Sequence, residues 1–205
     1  MRAQVSLENV KKAAILLSDV ALKTPLMRNE NLVQKFSSNI VLKREDLQQV
    51  RSYKIRGAYN KIASLSQDQL NRGVVCASAG NHAQGVAFSC FKLKVKGVVF
   101  MPTPTPKQKI EQVKMFGGAF IEIVITGDTF DDASFSAKEY CADNKMSFVH
   151  PFDDEKVIEG QATIALEILE QSKDEIDYLF LPVGGGGVAA GMSSIFNELS
   201  PNTKV

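Results

Sequence analysis

Tryptophan is absent from the 205 residues, and histidine occurs only twice, at His82 and His150. Two histidines so far apart do not form a ligand set with metal-site spacing, so no metal is expected. Cysteine is also scarce: Cys76, Cys90 and Cys141 are odd in number, widely spaced and contain no Cys-x-x-Cys pair. That pattern excludes a disulfide framework or a thiolate zinc cage and points to a reducing, cytoplasmic compartment. There is no surplus of either charge, since 24 basic residues face 23 acidic ones for a net +1. A sequence-independent nucleic-acid binder needs a basic surplus to displace counterions, so no nucleic-acid partner is expected. Long apolar runs are missing as well. None approaches the roughly 20 residues that cross a bilayer, and the run from Ala13 to Leu17 is cut off by Ser18 and Asp19 before it can serve as a signal-peptide core. No membrane partner is expected.

What is present is an ordinary globular composition, 44% hydrophobic and 23% charged, with a length of one to two domains at about 150 residues each. Short β-branched runs alternate with longer segments of helical period, the signature of an α/β fold with parallel strands. The runs predict strands at Ile40 to Leu42, Gly73 to Ala77, Val95 to Met101, Ala119 to Val124, Ser147 to Val149 and Tyr178 to Val183. Helices are predicted at Leu7 to Val20, Ile55 to Leu65, His82 to Leu93, Pro106 to Phe116, Thr129 to Asn144, Lys156 to Gln171 and Val188 to Glu198. Ser6 with Asn9, and Asp128 with Asp131, stand where caps and acidic first turns belong.

Three segments could carry chemistry. In Arg51-Ser-Tyr-Lys-Ile-Arg-Gly-Ala58, Lys54 stands at the mouth of a predicted helix. There the helix dipole and the like charges of Arg51 and Arg56 disfavour its ammonium form. A neutral amine is what imine formation requires; a solvated basic turn is the competing reading of this segment by itself. In Val74-Val-Cys-Ala-Ser-Ala-Gly-Asn-His-Ala-Gln-Gly85, an apolar strand runs through small residues into a helix. Ser78, Ala79 and Gly80 permit close backbone approach, and free N–H groups at the helix start suit a carboxylate. An ordinary capped βα turn is the alternative. In Tyr178-Leu-Phe-Leu-Pro-Val-Gly-Gly-Gly-Gly-Val188, four successive glycines lie between a predicted strand and a predicted helix. They cost backbone entropy, which is hard to explain unless the backbone wraps a ligand, usually a phosphate. A dinucleotide fingerprint and a Walker loop are both excluded by the spacing. An imine-forming lysine, a carboxylate nest and a phosphate nest together describe a site for pyridoxal phosphate and an amino acid.

In order and spacing, Ser52-Tyr-Lys-Ile-Arg-Gly-Ala58, Ser78-Ala-Gly-Asn-His82 and Pro182-Val-Gly-Gly-Gly-Gly187 resemble the threonine dehydratase (threonine ammonia-lyase) branch of fold-type II pyridoxal-phosphate enzymes. Lys43-Arg-Glu-Asp46, Pro151-Phe-Asp-Asp154 and Glu159-Gly160-Gln161 are similar to further family segments. The sequence departs from the family at Ala162, a common glycine, and at Tyr53, a common phenylalanine.

The resemblance implies the tryptophan synthase β-like fold, with two three-layer αβα domains. The expected division is 1–72 and 150–205 in a larger cofactor domain, incomplete here, and 73–149 in a smaller substrate domain. The chain is therefore expected to be the N-terminal part of a longer enzyme. The resemblance makes Lys54 the imine-forming lysine and the α-proton base, and Asn81 the partner of the cofactor's 3-oxygen. Ser78, Ala79, Gly80, Asn81 and His82 would hold the substrate carboxylate, and Gly184, Gly185, Gly186 and Gly187 the cofactor phosphate. The implied reaction converts L-threonine to 2-oxobutanoate and ammonia, or L-serine to pyruvate, in isoleucine biosynthesis or threonine catabolism. A serine racemase, a threonine synthase-like enzyme and a catalytically incomplete fragment are the alternatives. The implied partners are a small amino-acid substrate and further copies of the chain, as a dimer or tetramer.

Overall fold

The computed structural model describes residues 5–205. The expected division at 1–72 therefore begins with residues outside those described. The helices are α1 (Leu7–Leu17), α2 (Glu30–Phe36), α3 (Lys54–Ala63), α4 (Gln67–Arg72), α5 (Asn81–Leu93), α6 (Lys107–Gly117), α7 (Phe130–Asp143), α8 (Glu155–Gln171) and α9 (Gly187–Leu199). The strands are β1 (Leu26–Arg28), β2 (Val41–Lys43), β3 (Val74–Ala77), β4 (Gly97–Met101), β5 (Ile121–Ile125) and β6 (Ser147–Phe148).

Strands β3 to β6 form a parallel sheet in the order β5-β4-β3-β6. Because side chains alternate across a strand, Cys76, Val99 and Met101 face α5, where they meet Ala83, Val86 and Cys90. Val75, Ala77, Val98 and Phe100 face the opposite way, against Ala133, Ala137 and Cys141 of α7. The result is a three-layer αβα unit. Both faces being covered, β3 and β4 read in sequence as unbroken apolar runs.

A second group consists of α1, α3, α8 and α9, with Val10, Ala165, Met192, Ile195 and Phe196 at its centre. Its helices approach closely because small residues stand at the crossings. A Cβ on Gly160 of α8 would lie 2.6 Å from the Arg56 carbonyl oxygen of α3, and one on Gly191 of α9 would lie 2.8 Å from the Ile158 carbonyl oxygen of α8. Ala162, at the position where the family commonly has glycine, is fully buried and occupies the same α8–α9 contact as Gly191.

Several expectations need correction. Tyr178 to Val183 is not a strand: among the described residues its sole ladder contact is a bridge from Tyr178 to Lys204. Its alternation is nevertheless physical, since Leu179 and Leu181 pack on the α8–α9 core while Tyr178, Phe180 and Val183 are exposed. Among the described residues the pattern has no neighbouring strand to bond with. The cap of α7 is Thr129, not Asp128, in a reciprocal capping box with Asp132. Asp131 does sit in the first turn, and Ser6 accepts the Asn9 N–H at 3.2 Å as expected. Helices α2 and α4 and strand β1, which pairs antiparallel with β2, have no counterpart in the sequence reading.

Candidate active site

Lys54 is the first residue of α3. Its Nζ donates a 2.6 Å hydrogen bond to the Pro151 carbonyl oxygen and lies 5.5 Å from the centre of the Tyr53 ring. Burial pushes its pKa below the usual lysine value, because a charged ammonium loses solvation in the half-buried position. The direction agrees with the sequence argument, but its cause does not. Arg56 is not a free neighbouring charge. It is 1% exposed and forms ion pairs with Glu45 at 2.9 Å and Glu167 at 2.6 Å. Glu167 also bonds Lys43, so the guanidinium is neutralised within its own network. Arg51 is exposed and begins the turn into α3 with a left-handed φ of 58°.

Lys54 and the glycine run meet in one cavity of about 170 Å³, lined by Tyr53, Lys54, Pro151, Phe152, Gln161, Gly184 to Gly187 and Val188. The glycines are not interchangeable. Gly186 adopts a left-handed φ of 85°, and a Cβ on it or on Gly184 would meet nothing within 4 Å. A Cβ on Gly185 would strike the Phe152 ring at 2.2 Å, and one on Gly187 would lie 2.6 Å from the Phe152 carbonyl oxygen. The run therefore provides an open backbone rim at two positions and close contact with the 151–152 turn at the other two. It leads directly into α9, whose first N–H groups have no acceptor within the helix; the Ala190 N–H is the one that returns to the Gly186 carbonyl, at 2.8 Å.

The loop from Ser78 to His82 does not line this cavity. It leaves β3 with the Ser78 N–H bonded to the Phe100 carbonyl oxygen at 3.0 Å, and the Ser78 hydroxyl accepts the Gly80 N–H at 3.2 Å. Ala79 and Gly80 are half-buried, while Asn81 is exposed at the start of α5. The loop is nonetheless tied to Lys54 by the backbone: a Cβ on Gly85, one turn into α5, would lie 2.9 Å from the Lys54 carbonyl oxygen. His82 points inward. Its Nε2 lies 2.9 Å from the Val149 carbonyl oxygen, and burial pushes its pKa down to about 4. A neutral ring with Nε2–H as donor satisfies that bond, so the side chain of His82 ties α5 to the end of β6.

Of the residues singled out in the sequence, Lys54 and Gly184 to Gly187 line the cavity, and Pro151, Phe152, Gln161 and Val188 are walls that sequence reasoning missed. The segments 151–154 and 159–161 resemble family segments, but their sequence alone assigns them no role.

Comparison with known proteins agrees with this geometry. The family model described as "Pyridoxal-phosphate dependent enzyme" matches residues 17–205. The biosynthetic L-threonine dehydratase IlvA of Halalkalibacterium halodurans is 51% identical over 202 residues, covering 98% of this chain and 49% of that protein. Its counterpart in Bacillus subtilis is 52% identical over 201 residues, covering 98% and 48%. Among solved structures, the processed form of threonine deaminase isoform 2 from Solanum lycopersicum superposes with a TM-score of 0.89 at 42% identity, over 97% of this chain and 58% of that one. Serine racemase from Dictyostelium discoideum gives a TM-score of 0.90 at 32% identity, over 99% and 65%. The chain spans about half the length of the curated relatives it matches. With a lysine of lowered pKa and a glycine rim in one cavity, and a family match over all but its first residues, this chain belongs to the pyridoxal-phosphate-dependent enzymes of fold type II.

Proposed function

We propose that this chain serves the dehydration and deamination of L-threonine to 2-oxobutanoate and ammonia, with L-serine giving pyruvate by the same route. The observation that carries the reading is the shared cavity of Lys54 and Gly184 to Gly187, in a chain about half identical to biosynthetic threonine dehydratases. Pyridoxal phosphate fits the residues present. It needs an uncharged amine for its aldehyde, and Lys54 is the half-buried amine whose charge burial disfavours. Its phosphate needs N–H donors and room, and the open glycines at the start of α9 supply both. Once bound, the cofactor provides the electron sink for the charge left at the substrate's α-carbon.

The remaining roles belong to the chain. Lys54, held by the Pro151 carbonyl oxygen and with its charged form disfavoured by burial, would take the α-proton. The N–H groups that open α5, with Ser78, Ala79, Gly80, Asn81 and His82 around them, would hold the substrate carboxylate. Asn81, whose side chain is exposed at the helix start, would reach the cofactor's 3-oxygen. The division at 73 and 150 into a smaller and a larger domain is part of the same proposal, supported by the sheet of β3 to β6 falling between those limits. So is a homo-oligomer of two or four copies, to be measured by light scattering. The free thiols of Cys76, Cys90 and Cys141 support a cytoplasmic location.

Two measurements test the reading. Adding pyridoxal phosphate should produce an imine absorbance band that Lys54→Ala abolishes; a band unchanged in that variant would remove Lys54 from its role. Incubation with threonine, serine or phosphohomoserine, followed by product analysis, then separates the chemistries. The fold-level match to serine racemase favours D-serine as the product to check second. A chain that forms the band but converts none of these substrates would be a binding fragment and not a dehydratase.

A further inference from the structure

Gln161 of α8 is 1% exposed, yet only one end of its carboxamide is paired. Oε1 accepts the Gly57 N–H at 3.2 Å, whereas Nε2 has no hydrogen-bond partner among the described residues. The orientation is fixed by chemistry, since a backbone N–H must face the oxygen and so turns the NH2 group the other way. Room for it comes from Gly57, where a Cβ would lie 2.5 Å from Nε2. Buried donors are almost always satisfied, so an orphan in this seat calls for an acceptor from elsewhere. Gln161 lines the cavity shared by Lys54 and the glycine run.

We propose that Gln161 is a cofactor-binding residue whose Nε2 donates a hydrogen bond to the phosphate of pyridoxal phosphate, completing on the α8 side the N–H cradle formed by Gly184 to Gly187. The inference rests on the reading of this cavity as the cofactor site. A phosphate is the acceptor of choice because it is anionic, carries several acceptor oxygens and is what the adjoining glycine rim suits.

Gln161→Glu isolates the point. It keeps an oxygen for the Gly57 N–H and nearly the same volume, but places an acceptor where the donor was. Gln161→Met removes both ends without adding charge and serves where the first variant fails to fold, with circular dichroism confirming the native state. Dissociation constants for pyridoxal phosphate and for pyridoxal, which lacks the phosphate, are read from the imine absorbance of the full chain. Each variant should bind pyridoxal phosphate roughly tenfold or more weakly, the scale of losing a hydrogen bond to a charged group. Pyridoxal affinity should change less than about twofold on the same scale. Unchanged affinity for pyridoxal phosphate, or equal weakening for both compounds, would overturn the assignment while leaving the cofactor site intact. Wild-type chain that forms no imine with either compound would instead remove the site reading itself.

Discussion

The Nζ of Lys54 donates to the carbonyl oxygen of Pro151 at 2.6 Å, joining positions 97 residues apart in sequence. The amine is thereby held at the cavity wall formed by the 151–152 turn, beside the glycine rim. Holding it costs solvation, and that cost makes the amine reactive at lower pH.

The rate of imine formation with pyridoxal phosphate should rise with pH and level off below 10.5, the ordinary lysine value. Stability should rise with pH over the same range. The unfolded chain binds this proton more tightly than the folded one, so the penalty of the buried charge is full at low pH. It fades as pH rises through the window between the lowered value and 10.5. Stopped-flow absorbance across that range, with Lys54→Ala as the blank, measures the rate profile; a profile with its midpoint at 10.5 would contradict the burial argument.

His82 gives a second pH dependence, in the acid range. Its pKa falls from 6.5 to about 4 by burial, so the unfolded chain takes up a proton that the folded chain refuses. Stability should therefore be lost as pH falls from about 6.5 to about 4, by on the order of 3 kcal/mol. His150, lowered mainly by burial as well, adds in the same direction. Urea midpoints measured between pH 7 and 4 should fall more gently in His82→Gln than in the parent; equal slopes would show that the ring titrates alike in the folded and unfolded chain.

Arg56 anchors α3 through Glu45, Glu167 and the Leu22 carbonyl oxygen. Truncating it leaves Glu45 without its cation and Glu167 with Lys43 alone, and breaking such a buried pair typically costs about 3–5 kcal/mol. Arg56→Ala should accordingly lower the denaturation midpoint far more than Arg44→Ala, whose ion pair with Asp46 is screened by solvent and contributes little. Equal losses in the two variants would mean that the buried network is not what holds the helix.

Helices with an apolar stripe were legible from local pattern, α5 and α8 most clearly, because period and caps lie within the segment itself. Helix α4 was not: Gln67-Asp-Gln-Leu-Asn-Arg72 has no apolar face, and its one local signal was the Ser66 to Gln69 capping box. Tyr178 to Val183 shows the reverse failure, since alternation marks an extended chain but pairing depends on a partner elsewhere. The site divides in the same way. Lys54 and Gly184 to Gly187 declared themselves by residue type, whereas Pro151 and Gln161 owe their places to contacts 97 and 104 residues away along the chain.

The close helix crossings have a consequence for how this protein can vary. Gly57, Gly85, Gly160 and Gly191 each leave less than 3 Å for a β-carbon, and none of them carries a group that does chemistry. They set the spacing at which the chemical groups meet. A saturation map of the chain should therefore be most intolerant at positions that have nothing to contribute except their smallness.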